Sequence, residues 1–198
     1  RIDRVASNNS KVSHFDINSK IKIVYVGALT DTKNQIALLK VLNSTNMEAE
    51  IIFLGDGPNK QSLIDYSKKV SSSIKISFKG CLPRDIAIEH MLEADVFISL
   101  SKGEGLPIAV LEAMYCGCFL ILSKIPPHKE VSPPSDRCIY VDKDNEEEII
   151  NSLNYAANEI FKIKDQRDMS KQYSIERFGL NNMLEGYMEV YKSVNSDR

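Results

Sequence analysis

Residues 21–55 read IKIVYVGALTDTKNQIALLKVLNSTNMEAEIIFLG, and this stretch decides the fold. Ile21–Gly27 is short, rich in β-branched residues and closed by glycine, which predicts a strand. Residues 32–43 carry Ile36, Leu38, Leu39 and Leu42, a helical stripe. Glu50–Gly55 is a second strand of the same kind. A strand, a crossover helix and a second strand make a βαβ unit, whose strands run parallel.

The pattern continues outward on the carboxyl side. After the turn Gly55-Asp56-Gly57-Pro58 come a helix at 59–70, a strand at Ile74–Phe78 ending at Gly80, and a helix at 83–93. Strand Asp95–Leu100, helix 107–116, strands Phe119–Leu122 and Cys138–Val141, and helix 145–162 follow. The first turn of that last helix holds Glu146, Glu147 and Glu148, which suit the positive end of a helix dipole. Ile125-Pro126-Pro127-His128 reads as a rigid loop, whose histidine fits a surface position equally well. A further helix at about 175–194 carries a wide apolar face from Phe178 to Val194. Residues 1–20 are polar and without period. Three segments result: a linker at 1–20, a Rossmann-like domain at 21–174 and a carboxyl-terminal helix at 175–198. Right-handed crossovers make the sheet doubly wound, with expected strand order 3-2-1-4-5-6.

Composition bounds the function. The chain has 198 residues, 25 basic and 27 acidic, so a broad electrostatic footprint for nucleic acid is absent. No apolar run reaches the ~20 residues of a membrane-spanning helix. Cys81, Cys116, Cys118 and Cys138 have neither zinc-ligand nor disulfide-framework spacing, which fits a cytoplasmic setting. His14, His90 and His128 are scattered, and no metal site is expected. Gly55-Asp56-Gly57 lacks the third glycine of the dinucleotide fingerprint, and neither a P-loop nor a G-x-S-x-G elbow is present.

In a doubly wound sheet the ligand sits beyond the carboxyl ends of the strands where the winding reverses, between the loops after strands one and four. The first loop is Gly27-Ala28-Leu29-Thr30-Asp31-Thr32-Lys33. The second is Ser101-Lys102-Gly103-Glu104-Gly105-Leu106-Pro107. Gly103 and Gly105 permit unusual backbone conformations and close approach. The helix that follows offers free amides at Gly105, Leu106 and Ile108 to an anion. Glu112 lies in the apolar run Ile108–Met114 with no base within a helical turn. A carboxylate there needs donor hydroxyls, such as a ribose, or an ion pair with a distant base, unless it snorkels to the surface. Lys33, at a helix start, is disfavoured by the dipole unless a diphosphate lies beside it.

These residues resemble a known family. Glu104-Gly105-Leu106-Pro107 and Leu111-Glu112-Ala113-Met114 place two glutamates eight apart. That is similar to the E-x7-E motif of GT-B glycosyltransferases, specifically family 4, the glycosyl transferases group 1. Val26-Gly27 with Lys33-Asn34, Gly55-Asp56-Gly57-Pro58, Phe78-Lys79-Gly80, Ala94-Asp95-Val96-Phe97, Cys116-Gly117 and Glu189-Val190-Tyr191 follow in family order. The resemblance implies one half of a GT-B fold: the donor-binding domain, its amino-terminal partner domain lying outside this chain.

The resemblance further implies a retaining hexosyltransferase that uses a nucleoside-diphosphate sugar, UDP first and GDP next, without cofactor or metal. The acceptor would be a glycan or lipid-linked, as in polysaccharide biosynthesis. Glu104 would meet the donor sugar, Glu112 the ribose, and Lys33 the diphosphate beside Gly27 and the amides of Gly105, Leu106 and Ile108. The Leu82 backbone and Arg84 would flank the base. Membrane contact, if any, would be peripheral and made through the other half, and this chain alone would transfer sugar poorly. One departure stands out: the family's arginine after the first-strand glycine is Ala28 here. Lys102 substituting is the favoured reading; weaker leaving-group stabilisation or a catalytically degraded binding module are the others. An unrelated Rossmann-like oxidoreductase or epimerase domain is the third class considered.

Overall fold

A computed structural model describes residues 20–131, 137–159, 163–164 and 166–179. Among them, six strands form one sheet: β1 (Ile21–Val26), β2 (Ala49–Leu54), β3 (Ile74–Gly80), β4 (Val96–Ser99), β5 (Phe119–Ser123) and β6 (Cys138–Val141). All pair in parallel, in the order β3-β2-β1-β4-β5-β6 that the doubly wound pattern requires. The helices are α1 (Gln35–Val41), α2 (Lys60–Ser67), α3 (Arg84–Glu93), α4 (Ile108–Tyr115), α5 (Pro126–Val131), α6 (Glu146–Asn158) and α7 (Arg167–Phe178).

Alternation along each strand builds two cores. Ile23 and Tyr25 of β1 face one side and pack with Leu38, Leu63 and Leu153 of α1, α2 and α6. Val24 faces the other, with Ile88, Val110 and Met114 of α3 and α4. β5 is buried at every residue because both of its faces are covered. A seven-residue helix such as α1 is far too short to persist alone. Burying Leu38 and Leu39, each contributing about 1.5–3 kcal/mol, holds it in place.

Several motif residues are structural. Gly117 ends α4 at φ 78°, a left-handed cap that favours glycine. Its amide donates to Met114 O at 3.0 Å and that of Cys118 to Ala113 O at 3.0 Å. Asp95 is buried and accepts from the Lys22 amide at 2.9 Å and from Arg167 Nη2 at 3.1 Å, tying α7 to the amino end of β4. Arg137 is fully buried and donates to Ile163 O at 2.6 Å and Gly117 O at 3.0 Å.

Two readings from sequence need correction. The Pro126-Pro127 stretch is the helix α5, since a proline is tolerated in a first turn whose amides have no helical partner. Its His128 is fully buried, not on the surface. The helix expected at about 175–194 is overtaken at its start by a separate helix, Arg167–Phe178, which ends at the extended Gly179. The segment beyond 179 lies outside the described residues, as does the linker apart from Lys20. The four cysteines are free thiols.

Candidate functional site

The β1–α1 and β4–α4 loops meet at the carboxyl edge of the sheet, held together from below. Tyr25 is buried; its hydroxyl donates to the carbonyl of Lys33 and accepts from the Leu100 amide at 2.8 Å. Burial pushes its pKa upward, so it stays a neutral donor and acceptor. Asn34 is left-handed at φ 55°, a conformation asparagine tolerates, and its side chain donates to Leu100 O at 3.2 Å. The Lys102 amide closes the junction on Thr32 O at 2.8 Å.

This junction brings Lys33 and Glu104 together. Lys33 Nζ lies 2.6 Å from both Glu104 carboxylate oxygens, with the Glu104 side chain only 10% exposed. The lysine stem runs over Gly27, where an added Cβ would lie 3.5 Å from Lys33 Cδ and Cε. The Gly27 amide donates to Leu54 O at 2.9 Å. A Cβ there would make only ordinary contact with the lysine, so it is the φ of 150° that favours glycine, and its amide is already used. The next loop packs tightly beneath: a Cβ on Gly55 would fall 2.0 Å from the Gly27 carbonyl oxygen.

A second pair lies on the α3–α4 side. Arg84 Nε donates to Glu112 Oε1 at 2.6 Å, from a residue 28 positions away. Glu112 is 13% exposed and Arg84 54%. The ion pair with a distant base, one of the three expectations for Glu112, is therefore present, and the base is the residue expected beside a nucleobase. Leu82 is half-buried against the same core, and its backbone groups bond to none of the described residues.

Along the chain, the rest of the β4–α4 loop follows Glu104 and precedes Glu112. The amides of Gly105 and Leu106 have no partner among the described residues. Ile108 differs from expectation: its amide donates to Leu106 O at 2.9 Å across Pro107 at φ −80°, ψ 71°, an inverse γ-turn. Gly103 and Gly105 lack the unusual backbone conformations expected of them, but not the open space that close approach needs. Neither has a positive φ, and a Cβ on either would meet nothing within 4 Å, so both leave open space over the loop. Leu106 and Ile108 are exposed on its rim.

Ala28 is exposed. The Lys102 side chain lines a cavity of about 170 Å³ between α1 and α2, with Asp31, Gln35, Asn59 and Ser62, and forms no ion pair with Glu104. Sequence reasoning missed His128. Its Nδ1 lies 3.1 Å from both the hydroxyl and the carbonyl of Ser123, and its Nε2 is buried with no partner among the described residues. An unmet buried acceptor costs about 1–3 kcal/mol. No three His, Cys, Asp or Glu among the described residues group as metal ligands, and no described helix is long and apolar enough to cross a membrane.

Two carboxylates, two cations and free backbone amides at such a sheet edge can hold an anion and a polyol side by side. Residues 7–176 match the family model described as glycosyl transferases group 1. The phosphatidylinositol N-acetylglucosaminyltransferase GPI3 subunit of Saccharomyces cerevisiae is 22% identical over 184 residues, covering 89% of this chain and 40% of that protein. The capsular polysaccharide biosynthesis glycosyltransferase CapH of Staphylococcus aureus is 31% identical over 140 residues, covering 63% of this chain and 37% of that protein. The crystal structure of Anabaena Alr3699/HepE in complex with UDP-glucose superposes with a TM-score of 0.74 at 18% identity, covering 88% of this chain and 49% of that one. The chain thus spans about two-fifths of the length of these curated relatives.

Proposed function

Because the chain belongs to the glycosyl transferases group 1 family, we propose that it is the donor-binding half of a retaining glycosyltransferase that uses a nucleoside-diphosphate sugar. The observation that carries this reading is the flanking of the free Gly105 and Leu106 amides by the Lys33–Glu104 and Arg84–Glu112 pairs. The diphosphate takes Lys33 and the two amides. Its ribose takes Glu112 in place of Arg84, with the base near Leu82. The sugar lies toward Glu104. Hydroxyls satisfy a half-enclosed carboxylate by hydrogen bonds, which is what both glutamates require once their cations turn to phosphate or solvent.

The chemistry is departure of the nucleoside diphosphate from the anomeric carbon. Charge gathers on the leaving oxygens as the bond breaks, and Lys33 with the amides offsets it there. Glu104, on the sugar's side, favours the cationic character of the ring. UDP is the first choice of nucleotide and GDP the second, and the acceptor is a glycan or a lipid-linked one. Transfer needs the partner half to close over the donor and exclude water, so this chain alone binds donor and transfers little.

Exposed Ala28 and the placement of Lys102 along the α1–α2 cavity favour a second reading, a module that binds the donor without turnover. Thermal melting with UDP, GDP, ADP, NAD and their sugar conjugates tests the first. A ligand at 100 times its Kd adds ~2.7 kcal/mol, a Tm rise of roughly 5–10 °C at this size. One nucleoside diphosphate should stabilise, and Glu112→Ala should abolish the shift. NAD stabilising instead would overturn the reading. Donor binding without transfer by the full-length protein would select the second.

A further inference from the structure

The turn after β5 holds a buried histidine to which the roles above give no task. His128 Nδ1 lies 3.1 Å from both the Ser123 carbonyl and the Ser123 hydroxyl oxygen. That hydroxyl is itself 2.6 Å from the Ser101 carbonyl, to which it donates. A carbonyl can only accept, and the serine hydrogen is already used, so Nδ1 must carry the imidazole hydrogen. Nε2 is then a lone-pair acceptor, and it is the atom left without a partner. An apolar ring would fill this space with no unmet acceptor. What the imidazole adds is the Nδ1 donor aimed at Ser123.

The beneficiary is the root of the β4–α4 loop. Ser123 holds the Ser101 carbonyl, the Ser101 hydroxyl meets that of Ser99 at 3.1 Å, and Glu104 is three residues further on. We propose that His128 is a positioning residue for Glu104: through Ser123 it fixes the Ser101 carbonyl and so the path of the loop that carries the carboxylate. The role rests on the reading that Glu104 meets the donor sugar.

Amide hydrogen exchange of the full-length protein, without added nucleotide, reads the loop directly. The amides of Leu100 and Lys102, bonded to the Tyr25 hydroxyl and the Thr32 carbonyl at 2.8 Å each, should exchange about tenfold faster in His128→Phe, with those of Gly55 and Asn59 unchanged, because only local opening is eased. His128→Asn keeps a donor near the Nδ1 position and should stay within about threefold of wild type. Ser123→Ala cuts the same link with the histidine intact. It should accelerate the same amides, and the double variant should add nothing. Equal acceleration in the Phe and Asn variants, or acceleration spread over the whole sheet, overturns the proposal.

Affinities for UDP and UDP-glucose read the consequence. The gain from the glucose should fall about five- to tenfold in His128→Phe and Ser123→Ala, with bare UDP within about twofold of wild type. Losses of UDP and UDP-glucose affinity in step would mark a merely structural residue. If the wild-type protein binds no nucleoside diphosphate, the donor reading fails, and the sugar-facing part of this proposal with it. The exchange result then still decides whether His128 fixes the loop.

Discussion

Lys33 Nζ sits 2.6 Å from both carboxylate oxygens of Glu104, a residue 71 positions later in the chain. The two come from the loops on either side of the winding reversal, so the pair spans the crevice where such sheets place their ligands. Arg84 and Glu112 repeat the arrangement at 2.6 Å on the α3–α4 side. Each glutamate of the motif is therefore held by one cation, and under the proposed function a diphosphate sugar exchanges partners with both pairs on binding.

That exchange separates the roles of Lys33 and Glu104. Glu104→Gln releases Lys33, so UDP should bind as well as or better than to wild type. Turnover should drop by about 100-fold or more, the scale of losing an electrostatic contact made in the transition state. Lys33→Gln should instead weaken UDP about tenfold, about 1.4 kcal/mol, and leave uridine unaffected. Calorimetric titration with UDP and uridine, beside initial rates, checks both. UDP weakening in Glu104→Gln would sink the assignment.

Glu112 should report the ribose. A hydrogen bond to a charged acceptor is worth about 1.5–3 kcal/mol, so wild type should prefer UDP over 2′-deoxy-UDP by roughly 10–100-fold. Glu112→Gln should erase most of that preference. Arg84→Ala should change stability by less than about 1 kcal/mol, because its side chain is more than half exposed. A ribose preference that survives in Glu112→Gln would move the ribose elsewhere.

Ala28 offers a test by gain. It is exposed, so a long side chain there meets no packed neighbour. Ala28→Arg should leave Tm within about 2 °C, as surface substitutions usually do. It should tighten UDP by about five- to tenfold, the worth of one more charge-assisted contact. Rates should rise if weak leaving-group stabilisation limits turnover, and stay at zero if the site is degraded for another reason. Unchanged UDP affinity would show that position 28 no longer faces the diphosphate.

The fold was legible because local patterns decide it. Strands such as IKIVYV and FLILS are apolar on both faces, and only a sheet covered by helices on both sides accommodates that. The motif glutamates were legible too, one in a glycine-rich loop and one in an apolar helix. Their partners were only half so. Arg84 and Glu112 lie on different helices, and nothing local in either segment announces a contact across 28 residues. The helix α5 is hidden because two prolines suggest a loop, whereas a proline at a helix start costs no hydrogen bond. Gly103 and Gly105 suggest both unusual backbone angles and close approach; the angles are ordinary, and the open space appears only when neighbours can be measured.

His128 makes stability depend on pH in a stated direction. Burial holds its pKa below the 6.5 of a free imidazole, opposed by the Ser123 carbonyl and the Glu104 charge. Between the folded value and 6.5 the unfolded chain binds a proton that the folded chain does not. Stability therefore rises with pH through that window and is complete above it. Acidifying from about pH 7 to about pH 5 should lower Tm more in wild type than in His128→Asn, as only wild type carries this proton. Parallel Tm–pH curves would show that the imidazole does not titrate against folding.

Gly55 and Gly105 should part stability from binding. At Gly55, φ is 139° and an added Cβ would fall 2.0 Å from the Gly27 carbonyl oxygen, so backbone must move. Gly55→Ala should cost about 2–4 kcal/mol from overpacking and strain together. That is a Tm loss of roughly 5–15 °C at this size. At Gly105 the same methyl meets nothing within 4 Å, and φ is not in the left-handed region. Gly105→Ala should leave Tm within about 2 °C, as substitutions outside packed structure usually do. It should still weaken UDP about tenfold, because the methyl enters the space a diphosphate needs to reach the amides. Melting curves and UDP titrations on the two variants check this together. A Gly105→Ala protein that binds UDP normally would place the phosphates away from this loop.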